Sequence, residues 1–558
     1  MFEEDYDKIC EIIITQTMSL IKAENMKRYS NINKNDITNG DIIYKSAAAG
    51  KASITIVDTP AGTGKSMLIK DRVNCLLKQN VAPDKIMILN LNIAKSKQMI
   101  KEFPKGLQIM TFCEFTHNMF RANCSDIEVS SEQALLNAIR LIKTNPTEQA
   151  FIQRLSMRDP KERNTMLSLF VNQHTDETYD LLKKTNKISY MLEALICQNK
   201  MYKFKKDPYD VDVIIINGVH NMPVPILCSV IEYANKRKAN LFITGTNDET
   251  IYDFNMAYAN TMNVLASFAS KNIEIIRLTQ SKMHKDIKDT MDMRRSYGLK
   301  NVKAKSISYK DGDDEYALID SAFSDNIINY INARMQAKEQ ILILARSNAD
   351  IHKIKQIIES KCQMENKTTI DLTEFQIPKT TYGDILSKYQ SSIIQKFPKM
   401  TCQKMKTVLM TAYDYEIDKT LSQRQRAIYT NDKENIDSFV DTIFSFLPDK
   451  NAKYNTMFLI KGIVEYENKQ WKKYMKKAEN TDPPDFSSAN IIYSTIHSAI
   501  DIRSDHTIIL FHDINEEKNK SLYHVALSRA NISEYIIFLN NNKYPSQYYA
   551  YIKNNTRK

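Results

Sequence analysis

The stretch ITIVDTPAGTGKSMLIKD, residues 54–71, carries the strongest structural signal in this chain. An apolar run leads into five loop residues and then into helix-forming sequence; the loop residues are Gly62, Thr63, Gly64, Lys65 and Ser66. Glycines let backbone amides approach a phosphate without a Cβ clash, and the N-terminus of the next helix adds a positive dipole. The pattern predicts a phosphate-binding loop for ATP, with Lys65 reaching the β- and γ-phosphates and the Ser66 hydroxyl ligating Mg²⁺.

The length of the chain, 558 residues, is too great for one hydrophobic core, because single domains usually run to about 100–200 residues. No apolar run approaches the roughly 18 residues that a membrane-spanning helix needs. The acidic start, MFEEDYDK, does not resemble a signal peptide, and none of the eight cysteines forms a CxxC pair. We expect an intracellular protein, nuclear or cytoplasmic, in a reducing compartment and without a membrane partner.

The charge balance is basic, with 77 Lys and Arg against 66 Asp and Glu, a net charge of +11. A basic excess favours nucleic acid or another polyanion as a partner. The same excess is also compatible with a lysine-rich composition that has no functional meaning. The richness in Lys, Asn and Ile suggests an AT-rich genome, for which a large DNA virus is one plausible source.

Short β-rich runs followed by helical sequence recur along the chain and predict parallel α/β sheets. Nine such runs are better divided between two sheets than placed in one; they are residues 53–57, 86–91, 211–216, 241–244, 273–278, 341–345, 491–495, 507–511 and 535–539. Two long segments break the alternation and are mainly helical in pattern, residues 121–206 and 376–485.

Six segments in order resemble the motifs of superfamily 1 DNA helicases of the UvrD/Rep/PcrA type. The clearest are LFITGTNDETIYDFN (241–255), ILILARSNAD (341–350), IIYSTIHSAIDI (491–502) and SLYHVALSRANISEYIIFL (521–539). Weaker matches are ILNLNIAKSKQM (88–99) and MTFCEF (110–115). The resemblance covers most of the chain.

The resemblance implies a domain plan of two RecA-like P-loop domains with parallel sheets, each carrying a mainly helical insertion. The first domain would take residues 1–120 and 207–270, with its insertion at 121–206. The second would take residues 271–375 and 486–558, with its insertion at 376–485. ATP would lie in the cleft between the domains, and single-stranded DNA would cross their tops. For an active protein, the resemblance implies motion along the DNA in the 3′ to 5′ direction.

Several residues acquire functional expectations from the same resemblance. Arg529 matches the arginine that senses the phosphate. The candidate DNA-binding residues are Thr111, Tyr252, Phe254, Arg346, Asn348, His497 and Ser498. Each has a plainer interpretation: core packing for Tyr252 and Phe254, a surface ion pair for Arg346, a structural hydrogen bond for His497 and an interdomain contact for Arg529.

The chain departs from the family pattern where hydrolysis would be carried out. The Asp that holds Mg²⁺ and the Glu that activates water are replaced by Asn217 and Gly218. The usual Gln of the third motif is Glu249, and the phosphate-contacting Arg of the fourth aligns best with Met283. A carboxylate facing a phosphate is repulsive unless a proton or a metal ion intervenes. Asp248 or Glu249 taking over the metal position remains an alternative.

These departures favour a protein that binds single-stranded DNA and ATP with Mg²⁺ but has impaired or lost hydrolysis. Such a protein would act as an accessory or scaffold subunit in DNA replication or repair, together with other replication or repair proteins. The alternative is an active ATP-dependent 3′–5′ DNA helicase or translocase, which is supported by the intact Lys65, Ser66 and Arg529.

Overall fold

The structure is a computed structural model. It describes residues 2–37, 40–60, 63–124, 128–129, 187–188, 190–278, 301–308, 314–362, 368–372, 382–420, 436, 439–445, 447, 449, 451–466, 489–500, 502–512 and 520–540. Sixteen strands, β1 to β16, are placed within these residues.

The first sheet has six parallel strands in the order β3-β2-β6-β7-β1-β8. Its strands are β1 (Ile54–Asp58), β2 (Ile86–Asn90), β3 (Gln108–Thr111), β6 (Val213–Asn217), β7 (Asn240–Gly245) and β8 (Ile273–Arg277). The four central strands are almost fully buried, as expected for continuous Ile, Val and Leu runs covered on both faces.

The second sheet also has six parallel strands, in the order β11-β14-β10-β15-β16-β9. Its strands are β9 (Asn301–Ser308), β10 (Ile341–Ala345), β11 (Thr369–Asp371), β14 (Ile491–Thr495), β15 (Ser504–His512) and β16 (Ala530–Asn540). The α/β class with two parallel sheets, predicted from the sequence, is therefore confirmed.

Two minor sheets have two strands each. Strands β4 (Glu128–Val129) and β5 (Lys187–Ile188) pair in parallel, and β12 (Lys399–Met400) and β13 (Tyr454–Asn455) pair antiparallel. The described α-helices are Phe2–Ser19, Ile42–Ala49, Lys65–Lys78, Ile93–Glu102, Phe112–Asn123, Tyr190–Lys200, Val224–Arg237, Thr261–Ala266, Glu315–Ala322, Asp325–Gln336, Asn348–Lys361, Tyr382–Lys396, Cys402–Thr420 and Lys520–Leu527. No helix in these parts of the chain is long and apolar enough to cross a membrane.

Alternate residues of the first sheet enter two separate cores because successive side chains of a strand point to opposite faces. Ile54 and Ile56 pack in one core with the helices Phe2–Ser19 and Val224–Arg237. Val57 packs in the other, with the helices Ile42–Ala49 and Lys65–Lys78. The second sheet divides in the same way between two further cores. Helices thus cover both faces of each sheet.

The two predicted helical insertions are described only in part. Within 121–206, the helix Tyr190–Lys200 contributes Leu195 and Ile196 to a core of the first sheet. Within 376–485, the helices Tyr382–Lys396 and Cys402–Thr420 contribute to a separate apolar core that includes Leu386 and Leu409. The proposed domain bounds remain a prediction.

Candidate functional site

The loop after β1 ends in a geometry that suits a phosphate. Gly64 has φ +87° and precedes the helix Lys65–Lys78, so it takes a left-handed conformation that is cheap only for glycine. The first amides of that helix have no partner within it and carry its positive dipole. Lys65 is partly exposed and Ser66 is exposed at this helix start. Gly62 lies outside the described residues.

Two threonines fasten the loop to its surroundings. The backbone N–H of Thr59 donates to the carbonyl oxygen of Gly245 at 2.6 Å, and its hydroxyl donates to the same oxygen at 3.1 Å. The Thr63 hydroxyl donates to the Pro60 carbonyl oxygen at 2.8 Å. The resembled helicases carry a glycine at the position of Thr59. The two hydrogen bonds of Thr59 attach the loop to the end of β7.

A buried carboxylate lies between the loop lysine and the arginine of the last motif. Oε2 of Glu249 is 3.5 Å from Nζ of Lys65, and Oε1 of Glu249 is 3.1 Å from Nη2 of Arg529. The side chains of Glu249 and Arg529 are each only 5% exposed. The structure therefore brings together three residues that sequence analysis had assigned separately, and it places them between the two large sheets.

Arg529 is held rigidly behind this contact. Its Nε donates to the carbonyl oxygen of Val525 at 2.9 Å and to the Ser528 hydroxyl at 3.0 Å. Its Nη1 donates to the carbonyl oxygen of Ile500. Because these acceptors fix the guanidinium plane, Nη2 is directed at the Glu249 carboxylate.

The electrostatics of the cluster favour an ionised Glu249. Burial by itself raises the pKa of this carboxyl, but the charges of Lys65 and Arg529 outweigh it and hold the pKa well below its ordinary value. His220 lies beside them, and burial, followed by the charge of Lys65, lowers its pKa from 6.5 to about 3. Near neutral pH the cluster thus contains two cations, one carboxylate and a neutral imidazole.

The second motif lies at the end of β6, where the water-activating carboxylate would be expected. Nδ2 of Asn217 donates to Oδ1 of Asn90 at 2.8 Å, and Nδ2 of Asn90 donates to the Ser96 hydroxyl. The Asn217 amide is therefore part of a hydrogen-bonded series of side chains. Gly218 has φ +84°, a left-handed conformation. A Cβ at Gly218 would meet the His220 ring at an ordinary 3.6 Å, so backbone strain rather than space opposes a larger side chain.

Two residues that the sequence did not single out hold the third-motif loop in place. Nδ1 of His220 accepts from the Thr246 N–H at 3.2 Å. Nδ2 of Asn221 donates to the Glu249 carbonyl oxygen at 3.1 Å, and its Oδ1 accepts from the Ile251 N–H at 3.0 Å. Both side chains are buried, and their hydrogen bonds hold the loop that carries Glu249 in place. We call the pair His220 and Asn221 the clamp.

The fit to Mg²⁺ is partial. Ser66 offers a hydroxyl at the helix start, but the position of the second-motif carboxylate is filled by Asn217, whose amide nitrogen donates to Asn90. Asp58, at the end of β1, accepts from Nε of Arg277 at 3.2 Å. Among the residues that the structure describes, no group of three or more His, Cys, Asp or Glu side chains could hold a metal ion.

Two candidate DNA-binding residues meet between the sheets. The Tyr252 hydroxyl donates to the carbonyl oxygen of His497 at 2.9 Å, and the two rings contact edge to face with centroids 5.6 Å apart. Ile251, next to Tyr252, is part of a core of the second sheet. The third-motif loop therefore joins both sheets as well as carrying Glu249.

The remaining candidates lie at the carboxyl ends of strands. Arg346 follows β10 and is exposed, while Ser498 follows the neighbouring β14 and receives a hydrogen bond from the Thr495 hydroxyl at 3.0 Å. Thr111 caps the helix Phe112–Asn123, its hydroxyl accepting from the Glu114 N–H at 3.1 Å. Asn348 begins a helix and is exposed. The side chain of Phe254 and all of Met283 lie outside the described residues.

Part of the chain matches a known protein family. Residues 44–255 match a family model described as an AAA domain. The matched region contains the phosphate loop, the second-motif segment and the Glu249 loop, and it supports a P-loop, helicase-like protein that binds nucleotide. None of the curated proteins matches the chain.

Proposed function

We propose that this chain binds single-stranded DNA and ATP but hydrolyses ATP poorly or not at all, and that it acts as an accessory or scaffold subunit in DNA replication or repair. The observation that carries the proposal is the contrast at the site. Lys65 and Arg529 are both present and both contact the buried carboxylate of Glu249, whereas the second motif has an amide and a left-handed glycine where a metal ligand and a general base are needed.

Loss of hydrolysis follows from the chemistry of the replaced residues. Asn217 lacks the negative charge that attracts Mg²⁺, and Gly218 has no side chain to orient or deprotonate water. Two carboxylates near the loop are otherwise engaged, Asp58 with Arg277 and Glu249 with Lys65 and Arg529, which leaves Asp248 as the alternative metal ligand. The phosphate-binding parts are compatible with binding, since neither Lys65 nor the helix start depends on the second motif.

The DNA-binding part of the proposal is supported by the grouping of Tyr252, His497 and Arg346 near the carboxyl ends of the strands, together with the net charge of +11. Proteins that bind single-stranded nucleic acid combine aromatic side chains, which stack on the bases, with cationic side chains, which contact the phosphates. Arg346 directly follows β10 and lies beside the turn that carries His497, because the Ile496 N–H donates to the Ala345 carbonyl oxygen at 3.0 Å.

The test is fluorescence anisotropy of a labelled single-stranded oligonucleotide, with a duplex of the same sequence for comparison. We expect preferential binding of the single strand. Tyr252→Ala should weaken it by about 1–3 kcal/mol, and Arg346→Ala should lower the slope of log affinity against log salt by about one. Matched controls are Tyr316→Ala and Lys78→Ala, each at an exposed position away from these residues. Equal losses in the controls, or no binding by the wild type, would refute this part.

An active ATP-dependent helicase or translocase is the second candidate. It is supported by the presence of Lys65, Ser66 and Arg529 and by the direct bridge of Glu249 between the two sheets, which could respond to nucleotide. It requires DNA-stimulated release of phosphate that depends on Lys65.

A further inference from the structure

The Glu249 carboxylate contacts two cationic side chains that are suited to bind phosphate. Lys65 belongs to the phosphate loop, and Arg529 matches the phosphate-sensing arginine of the resembled helicases. In this structure both are directed at one carboxylate, with Oε2 at 3.5 Å from Lys65 Nζ and Oε1 at 3.1 Å from Arg529 Nη2. Carboxylate and phosphate oxygens are alternative acceptors for such cations, and both accept charge-assisted hydrogen bonds.

Neighbouring residues on both sides hold the Glu249 carboxylate in place. Asn221 holds the backbone of Glu249 and of Ile251 by hydrogen bonds of 3.1 and 3.0 Å. His220 holds the start of the same loop through the Thr246 N–H. On the other side, Val525, Ser528 and Ile500 fix Arg529. The Glu249 side chain is buried, and the residues that hold it and its partner belong to both sheets. Its ion pairs are therefore not surface contacts that water replaces freely.

We infer that the Glu249 carboxylate takes the place of the terminal phosphate of a nucleoside triphosphate, and that the site therefore prefers a nucleoside diphosphate. The inference rests on the proposed binding of nucleotide at the loop after β1 and specifies its ligand class. The contact between the two sheets then exists without a triphosphate to bridge them.

The preference follows from charge and from what a third phosphate would displace. A triphosphate either brings its terminal group against the buried carboxylate, which repels it, or expels Glu249 from both of its cations. Expulsion breaks ion pairs to Lys65 and Arg529 and works against the Asn221 clamp. A diphosphate carries less negative charge and ends before that position, so it shares Lys65 with Glu249 and leaves the pair with Arg529 intact.

The experiment is isothermal titration of the full-length protein with ADP and with ATP, each with Mg²⁺, beside the variant Glu249→Gln. Gln is the residue that the resembled helicases carry at this place, so the substitution keeps the shape and removes the charge. We expect the wild type to bind ADP more tightly than ATP by about tenfold or more, and Glu249→Gln to reduce or reverse that ratio. Asp253→Asn, which removes an exposed carboxylate from the same segment, should leave the ratio unchanged.

The outcomes separate this inference from the proposed function. If the wild type binds ATP as tightly as ADP, and Glu249→Gln leaves the ratio unchanged, the inference is overturned while nucleotide binding stands. If the wild type binds neither nucleotide but Glu249→Gln binds ATP, the preference for a diphosphate is overturned and the proposed nucleotide binding fails for the wild type, because the carboxylate then excludes both nucleotides. If neither protein binds either nucleotide, both the inference and the nucleotide part of the proposed function fail. The wild-type ratio needs no variant, so a folding defect in Glu249→Gln does not rescue the inference.

Discussion

Oε1 of Glu249 and Nη2 of Arg529 lie 3.1 Å apart, and this ion pair connects the first sheet to the second. Glu249 belongs to the loop after β7, and Arg529 directly precedes β16. Both side chains are almost fully buried, so water screens their interaction weakly. The arrangement makes the third-motif loop a structural connection between the sheets rather than a nucleotide contact alone.

Removing Arg529 should be costly because it leaves Glu249 buried with Lys65 as its remaining ionic contact. Arg529→Ala is expected to lower the free energy of unfolding by about 3–5 kcal/mol, measured as a shift of the urea transition. In the Glu249→Gln background the cost should be smaller, since the charge that Arg529 neutralises is gone. Arg346→Ala, at an exposed position, is the control and should change stability by less than about 0.5 kcal/mol. Equal costs in both backgrounds would contradict the pairing.

Restoring the family residues of the second motif should not by itself restore hydrolysis, because Glu249 still engages Lys65 and Arg529. Gly218 has φ +84°, so Gly218→Glu should cost about 1–2 kcal/mol in thermal or urea unfolding, with a smaller cost for Gly218→Asn, which tolerates this backbone better. We expect the double variant Asn217→Asp, Gly218→Glu to show no DNA-stimulated phosphate release. Release well above the wild-type rate would mean that the backbone adapts and that these two residues alone are the deficit.

The clamp formed by Asn221 can be tested at the loop that it holds. Asn221→Ala removes the acceptor of the Ile251 N–H and the donor to the Glu249 carbonyl oxygen. We expect a loss of about 1–3 kcal/mol and faster hydrogen exchange at the Ile251 amide. Asn235→Ala is the comparison, because Asn235 also makes several hydrogen bonds but at a more exposed position away from this loop. Unchanged exchange at Ile251 would show that the clamp is not needed.

The buried His220 predicts a loss of stability on mild acidification. Its pKa is lowered from 6.5 to about 3 by burial and by Lys65, so the unfolded chain binds a proton that the folded chain does not accept. Stability is therefore full above about pH 6.5 and falls as the pH drops towards 3, by at most about 1.4 kcal/mol for each pH unit. Arg529 and His524 also disfavour the proton, while Glu249 opposes them.

The corresponding experiment compares urea midpoints between pH 7.5 and pH 5 for the wild type and His220→Gln. The variant should lose less stability over this range because it has no imidazole to protonate. His352→Gln, which removes an exposed imidazole, should follow the wild type. Parallel curves for all three proteins would exclude His220 as the titrating group.

The central strands were predictable from sequence because burial on both faces leaves continuous apolar runs. Ile341–Ala345 and Ile491–Thr495 were predicted with their observed bounds. The three strands of the large sheets that were missed, β3, β9 and β11, all lie at sheet edges. An edge strand is covered less completely and tolerates polar residues such as Lys305 in β9, so its pattern is weaker.

Only the parts of the site whose residues are contiguous in the sequence could be predicted. The phosphate loop and the altered second motif are contiguous in sequence. The contact of Glu249 with Arg529 joins residues 280 positions apart, and no local pattern indicates it. The clamp by His220 and Asn221 was missed for the same reason. For Thr111 a local signal did exist, since Thr111 followed by Glu114 is the pattern of a capping box, which the structure contains.

The most direct test of the account is phosphate release from ATP with Mg²⁺, measured with and without a saturating single-stranded oligonucleotide. The wild type and Lys65→Ala are compared on samples whose DNA binding has been verified by anisotropy. The account predicts that the two proteins release phosphate at the same background rate, that DNA does not stimulate either, and that the wild type still binds the oligonucleotide. DNA-stimulated release by the wild type that Lys65→Ala abolishes would contradict it and establish an active motor.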